Sequence, residues 1–267
     1  MGRNSITRRM ALAGAAVATT AAGLAPASAQ APARKTFLLV HGAYHGGWCW
    51  QRVTAILEKQ GHKVYAPSLT GNGDRVHLLS KDLTLDTQVM DLVNLAKYED
   101  MKDICLVAHS FGGWPASGAL EQISDRVASL VWLDAFKPKS GEKPVDYISE
   151  FSRKALEEAL ARGEAGRTPA PAKTYSQDEK SYAWIDSKLT PQPNNIVFQP
   201  ITLTGKLETV KKKTFIRAPK YAQAAFDKAL AECRANSSWQ TFVNENTGHD
   251  VMVDQPQWLV DIILKVS

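Results

Sequence analysis

Ser110 and His249 are the residues of this chain whose types and surroundings point first to chemistry. The serine lies in Ala108-His109-Ser110-Phe111-Gly112-Gly113, after the apolar run Ile104-Cys105-Leu106-Val107 and before a segment of helical periodicity. A strand, a sharp turn and a helix in that order push the hydroxyl out of the sheet and aim free helix amides at the same point. Ala108 and Gly112 are the small residues that let strand and helix approach. Glycine is usual at the first place, so Ala108 is a mild departure. Taken alone, a serine after a buried strand is more often a helix cap. His249, in Asn246-Thr247-Gly248-His249-Asp250, follows the strand-like run Trp239–Val243, which puts an imidazole on a loop at a strand end. Together the two make a nucleophile and its general base.

A second motif precedes them. Phe37-Leu38-Leu39-Val40 reads as a short buried strand and runs into His41-Gly42-Ala43-Tyr44-His45-Gly46-Gly47-Trp48-Cys49-Trp50, whose glycines permit an irregular loop. When a serine oxygen attacks a carbonyl, negative charge must be received by backbone amides, one from such a loop and one from the residue after the nucleophile. The expected oxyanion hole is the pair of amides of Ala43 and Phe111.

With these pieces, and with Tyr65-Ala66-Pro67-Ser68-Leu69-Thr70-Gly71, the chain resembles α/β-hydrolases over nearly all of residues 35–267. The branch it resembles holds plant methylesterases, plant hydroxynitrile lyases and small bacterial carboxylesterases. The resemblance implies a serine carboxylesterase acting on small to medium esters through a Ser-His-Asp triad and an acyl-enzyme, with no cofactor and no metal. Many of these enzymes carry the acid after the strand that follows the cap. Here that strand, Lys213–Arg217, is followed by Ala218-Pro219-Lys220-Tyr221 without a carboxylate. Some relatives, such as haloalkane dehalogenases, place the acid at the end of the preceding core strand, and Ser129–Leu133 runs into Asp134. Asp134 is therefore the expected acid, holding the imidazole tautomer and stabilising the imidazolium. Asp227 is a weaker substitute because it sits inside an expected helix. Two other readings are weighed. A hydroxynitrile lyase would carry a threonine in the oxyanion loop and a lysine after the histidine, where Gly42 and Asp250 stand. A ligand-binding protein on the same fold would lack turnover.

The elements that must position these residues are legible as alternation. Strands expected near 36–41, 63–66, 103–108, 128–133, 213–217 and 238–243 alternate with helical patterns. The apolar stripes are Val53, Ile56 and Leu57; Val89, Leu92, Val93 and Ala96; and Trp258, Leu259, Ile262 and Ile263. This is an α/β chain with a mostly parallel sheet and helices on both faces, whose ligands bind beyond the carboxyl ends of the strands. At residues 137–207 the alternation breaks, and a helical cap is expected, with helices over Val145–Arg162 and Asp178–Leu189 and loops at Gly163–Ala172 and Thr190–Pro193. Aromatic residues there, Tyr147, Phe151, Tyr182, Trp184 and Phe198, could shape a substrate pocket, each more often packing the cap onto the core. Tyr44, Trp184 and Phe198 are the expected substrate contacts.

Composition sets the remaining bounds. Thr7-Arg8-Arg9-Met10, an Ala-rich stretch and Ala27-Ser28-Ala29 read as a twin-arginine export signal over residues 1–29, ahead of one hydrolase domain at 30–267. A periplasmic or secreted protein without a stable membrane anchor is expected. Removing residues 1–29, with three arginines and no acid, lowers the net charge from +5 to +2, which argues against nucleic acid, while the resemblance implies a small-molecule ester as partner. Cys49, Cys105 and Cys233 cannot all pair within one chain, and Cys105 reads as a core residue. His41 and His45 stand four apart but on a strand end and loop, where that spacing does not make a metal pair. His109 is expected to pack under the turn, and His62 and His77 to lie at the surface or in turns.

Overall fold

The computed structural model describes residues 34–267, so the expected export signal lies outside the described residues. In chain order the strands are β1 (Thr36–Val40), β2 (Lys63–Tyr65), β3 (Ile104–His109), β4 (Val127–Leu133), β5 (Gly166–Arg167), β6 (Gln192–Pro193), β7 (Lys212–Arg217) and β8 (Trp239–Val243). The helices are α1 (Gln51–Lys59), α2 (Leu85–Tyr98), α3 (Gly113–Ile123), α4 (Glu150–Ala161), α5 (Tyr182–Asp186), α6 (Ala224–Arg234), α7 (Val251–Asp254) and α8 (Pro256–Val266).

Six strands form one sheet in the order β2-β1-β3-β4-β7-β8, every neighbouring pair parallel. The sheet is apolar on both faces because successive side chains alternate between two cores. Leu38, Val40, Leu106, Ala108, Leu130, Trp132 and Phe215 join α2, α3 and α6 on one side. Phe37, Leu39, Cys105, Val107, Val131, Leu133 and Ile216 join α1 and α8 on the other. Each sheet strand expected from the sequence is present to within a residue at either end.

The stretch between β4 and β7 departs further from expectation. The anticipated helix over Val145–Arg162 is split: a 3₁₀ turn covers Pro144–Tyr147, and α4 begins anew behind Ser149, whose Oγ accepts the Ser152 amide at 3.1 Å. That serine is an N-cap, and it sets the helix start independently of the apolar stripe. The second expected helix reduces to a 3₁₀ turn at Glu179–Ser181 and the short α5. Inside the expected loops, β5 and β6 pair antiparallel, Gly166 with Pro193 and Arg167 with Gln192. Strands of two residues carry no periodicity to read.

His62 is buried rather than at the surface, edge-on to Phe37 at 5.5 Å, while His77 is exposed. All three cysteines are free and buried. No helix among the described residues is long and apolar enough to cross a membrane.

Candidate active site

Ser110, Asp134 and His249 follow β3, β4 and β8, at the carboxyl edge of the sheet where α/β folds bind ligands. Of the five non-glycine residues with positive φ among those described, three surround this edge: Tyr44 at +67°, Ser110 at +54° and Asp134 at +46°. Left-handed backbone at such residues is costly and is held only where the surrounding packing enforces it. Close approach enforces it here. A Cβ on Gly42 would stand 2.7 Å from Ser110 Cβ, and one on Gly112 would stand 2.5 Å from the His41 carbonyl oxygen. The loop after β1 is thereby pressed against the turn after β3.

Asp134 is fully buried, and both its oxygens are engaged. Oδ2 accepts His249 Nδ1–H at 2.6 Å; Oδ1 accepts Arg217 Nη1 at 2.7 Å and the Ala218 amide at 3.0 Å. The carboxylate fixes the histidine tautomer and leaves Nε2 as the basic nitrogen. Arg217 closes β7 and is buried with Asp134, while its Nε reaches the exposed Asp227 at 2.8 Å and its Nη2 reaches the Tyr221 carbonyl at 2.9 Å. Asp227 thus holds the arginine and makes no bond to His249. The His249 ring lies stacked on Tyr221 at 4.1 Å and is flanked by His109 at 4.3 Å. Among the described residues, the His249 ring bonds Asp134 and its carbonyl accepts from His109 and from the Val251 amide, and no hydrogen bond runs to Ser110 Oγ. Catalytic hydrogen bonds in unliganded sites are often long and close only on substrate.

The other histidines brace this arrangement. His109 is buried and donates Nε2–H to the His249 carbonyl at 3.0 Å; burial, then the neighbouring His249 and His45, push its pKa well down. His41 accepts the Leu69 amide on Nε2 at 2.9 Å and donates Nδ1–H to the Gly42 carbonyl at 2.8 Å. That carbonyl belongs to the peptide whose N–H is the Ala43 amide. His45 donates Nδ1–H to the Ala43 carbonyl at 2.8 Å and meets Asp250 Oδ2 at 3.1 Å. Burial would lower the His45 pKa, but the charge and hydrogen bond of Asp250 outweigh it and the pKa is raised. No group of three metal-ligating side chains is placed to hold an ion among the described residues.

Two cavities meet at Ser110. One of about 510 Å³ is lined by Ala43, Tyr44, Phe111 and Tyr221 and runs under α4; the other, of about 440 Å³, shares Ala43, Tyr44 and Tyr221 and includes His249. Of the expected substrate contacts, Tyr44 lines both. Trp184 lines neither: it packs edge-on to Trp48 at 5.2 Å beneath Arg52. Phe198 also lines neither and packs against the core through the turn at Asn195–Val197. Trp184 packs the insertion onto the turn before α1 and Phe198 packs it onto the core, a use of large apolar groups that sequence position alone does not distinguish from a pocket wall. Phe151 does line the larger cavity, whereas Tyr147 packs on Trp114 and bonds Glu142. Sequence reasoning missed Arg217 and the His45–Asp250 pair. The strand Lys212-Lys213-Thr214-Phe215-Ile216-Arg217 is already rich in charge, so Arg217 carried no distinguishing signal in the sequence.

A model described as Alpha/beta hydrolase family matches residues 37–262. Over 234 residues the chain is 33% identical to a carbendazim hydrolyzing esterase of Nocardioides sp. (strain SG-4G), covering 84% of this chain and 96% of that enzyme. It is 26% identical to methylesterase 1 of Arabidopsis thaliana, covering 88% and 96% of the two chains. Among solved structures it resembles an extracellular alpha/beta-hydrolase from a Paenibacillus species, with a TM-score of 0.75 at 22% identity, covering 87% of this chain and 99% of that one. The chain belongs to the alpha/beta hydrolase family.

Proposed function

We propose that the protein is a carboxylic ester hydrolase in which Ser110 is the nucleophile, His249 the general base and Asp134 the acid. The observation that carries this reading is the 2.6 Å contact from His249 Nδ1 to the buried Asp134, with Ser110 and His249 on the wall of one cavity. The esterase and methylesterase relatives support the reaction class. His249 Nε2 takes the Ser110 proton as Oγ bonds to the ester carbon, and the developing oxyanion is received by the amides of Ala43 and Phe111. The carbon–oxygen bond to the alcohol then breaks, and the alcohol leaves with the proton from His249. Water, deprotonated by the same nitrogen, releases the acid and restores Ser110. Residues 137–207 act as a cap that keeps bulk water from this sequence.

The lyase alternative loses ground on two contacts. The Cβ of any residue at position 42 would clash with Ser110, and Asp250, in the place of the lyase lysine, is buried against His45. The test is hydrolysis of p-nitrophenyl acetate, butyrate and octanoate by the wild type and by Ser110→Ala, His249→Ala and Asp134→Asn. Loss of turnover in the first and strong losses in the other two are expected. Turnover indifferent to Ser110→Ala refutes the reading.

A further inference from the structure

Ser110 stands where the two cavities join, and the residues common to both are Ala43, Tyr44, Ser110 and Tyr221. Tyr44 and Tyr221 thus border both cavities at the point where the Ser110 hydroxyl stands. The halves differ in what else reaches them. Phe111, whose amide is one of the two oxyanion donors, lines only the larger cavity. His249, which must hand its proton to the departing oxygen, lines only the smaller. A proton donor works only within hydrogen-bond reach of the atom it protonates, so the alcohol oxygen must face the His249 side. With Oγ attacking and the carbonyl oxygen held by the amides, the remaining substituent on the ester carbon is directed the other way.

Resting on the reading of Ser110 as nucleophile, we propose that the cavity of about 510 Å³ under α4 is the acyl site and the cavity of about 440 Å³ beside Thr168 and Tyr175 is the alcohol site. The substrate class is then an ester bulky on both sides of the carbonyl. Each cavity alone falls in the size range of a small-molecule pocket. Trp114, Phe136, Leu156, Val197 and Phe226 line the acyl side, which also carries Arg162, Glu164 and Arg167, whereas Thr168, Thr174 and Tyr175 bring hydroxyls to the alcohol side.

Two exposed residues, one on each wall, allow the sides to be filled separately: Ala155 on α4 and Thr168 after β5. Methyl naphthylacetate and naphthylmethyl acetate are isomers carrying the same ring on the acyl and alcohol sides respectively. The readout is the ratio of their kcat/KM values, which a general folding defect leaves unchanged. Ala155→Trp is expected to shift the ratio about tenfold against methyl naphthylacetate, and Thr168→Trp about tenfold against naphthylmethyl acetate. An unchanged ratio in both variants, or shifts in the opposite pairing, overturns the assignment. Ser110→Ala on the same esters separates the two failures: abolished turnover with wrongly paired shifts removes only the assignment, while surviving turnover removes the reading beneath it.

Discussion

His41 holds the loop after β1, which carries the proposed oxyanion donor Ala43, from behind as a neutral ring, because its Nε2 accepts from the Leu69 amide and its Nδ1–H serves the Gly42 carbonyl. Hydrogen bonding to that carbonyl polarises the Gly42–Ala43 peptide and sharpens the N–H on its other side. Burial, only partly offset by the Gly42 bond, lowers the His41 pKa to about 4. The unfolded chain therefore takes up a proton that the native state refuses. The stability this protects is complete above the ordinary histidine value and is lost as pH falls toward about 4, amounting to about 3 kcal/mol. His109, lowered for the same first reason, acts in the same direction. His45 acts in the opposite direction: its raised pKa gives stability that is present at low pH and lost as pH rises through the histidine range. Denaturant midpoints measured from about pH 7 down to about pH 4 should fall, and His41→Gln should flatten that fall. An unaltered slope would exclude His41 as a contributor. Arg217 presents a different balance, between one buried and one exposed carboxylate. Arg217→Gln leaves Asp134 buried without its cation and is expected to cost about 3 kcal/mol, whereas Asp227→Asn, at an exposed site, should cost less than about 1 kcal/mol. Urea unfolding of the two variants checks the order, and equal losses would contradict it.

Among the elements, the edge that carries Ser110 depends on how closely α3 lies against the loop after β1. Gly112, just ahead of α3, leaves no space: an added Cβ would meet the His41 oxygen at 2.5 Å, and that atom is backbone. Gly112→Ala must displace either the turn carrying Ser110 or the loop carrying Ala43, so a loss of about 1–3 kcal/mol is expected together with a fall in kcat. Thermal melting and esterase assays on one preparation test this, and unchanged kcat would mean that the two loops move as one. The need for small residues at this place was visible in the sequence, because strand, turn and helix cannot close around a larger side chain. The sheet was equally legible: β1, β3 and β4, buried on both faces, read as near-continuous apolar runs, and each expected strand matches an observed one. The insertion was much less so. Its helix boundary depends on the Ser149 cap, and its pairing of Arg167 with Gln192 depends on contacts between distant segments. The choice of Asp134 drew on chain order and the resemblance, but its partner Arg217 could be seen only once β4 and β7 lay side by side.

For the molecule as a whole, the cysteines bear on the export expected from the sequence. Cys49 and Cys105 belong to the core on one face of the sheet and Cys233 to the core on the other. No two of the three pair, and burial pushes the Cys105 thiol up to about 11 and the Cys233 thiol up to about 12. The thiolate is the reactive form, so the folded protein should be inert to thiol reagents at neutral pH while the unfolded chain exposes three nucleophiles. A chain exported unfolded into an oxidising compartment would risk bridges that this fold cannot accommodate; one exported already folded carries its thiols shielded. The expected twin-arginine signal suits the second route. Arg8→Lys combined with Arg9→Lys is accordingly expected to hold the folded, active protein in the cytoplasm, while the wild-type sequence delivers it outside with all its thiols reduced. Fractionation followed by thiol titration, before and after unfolding, reads both halves of that expectation. Export undiminished by the double replacement would refute the twin-arginine route, and a bridged cysteine in the exported protein would refute the shielding that makes the route advantageous.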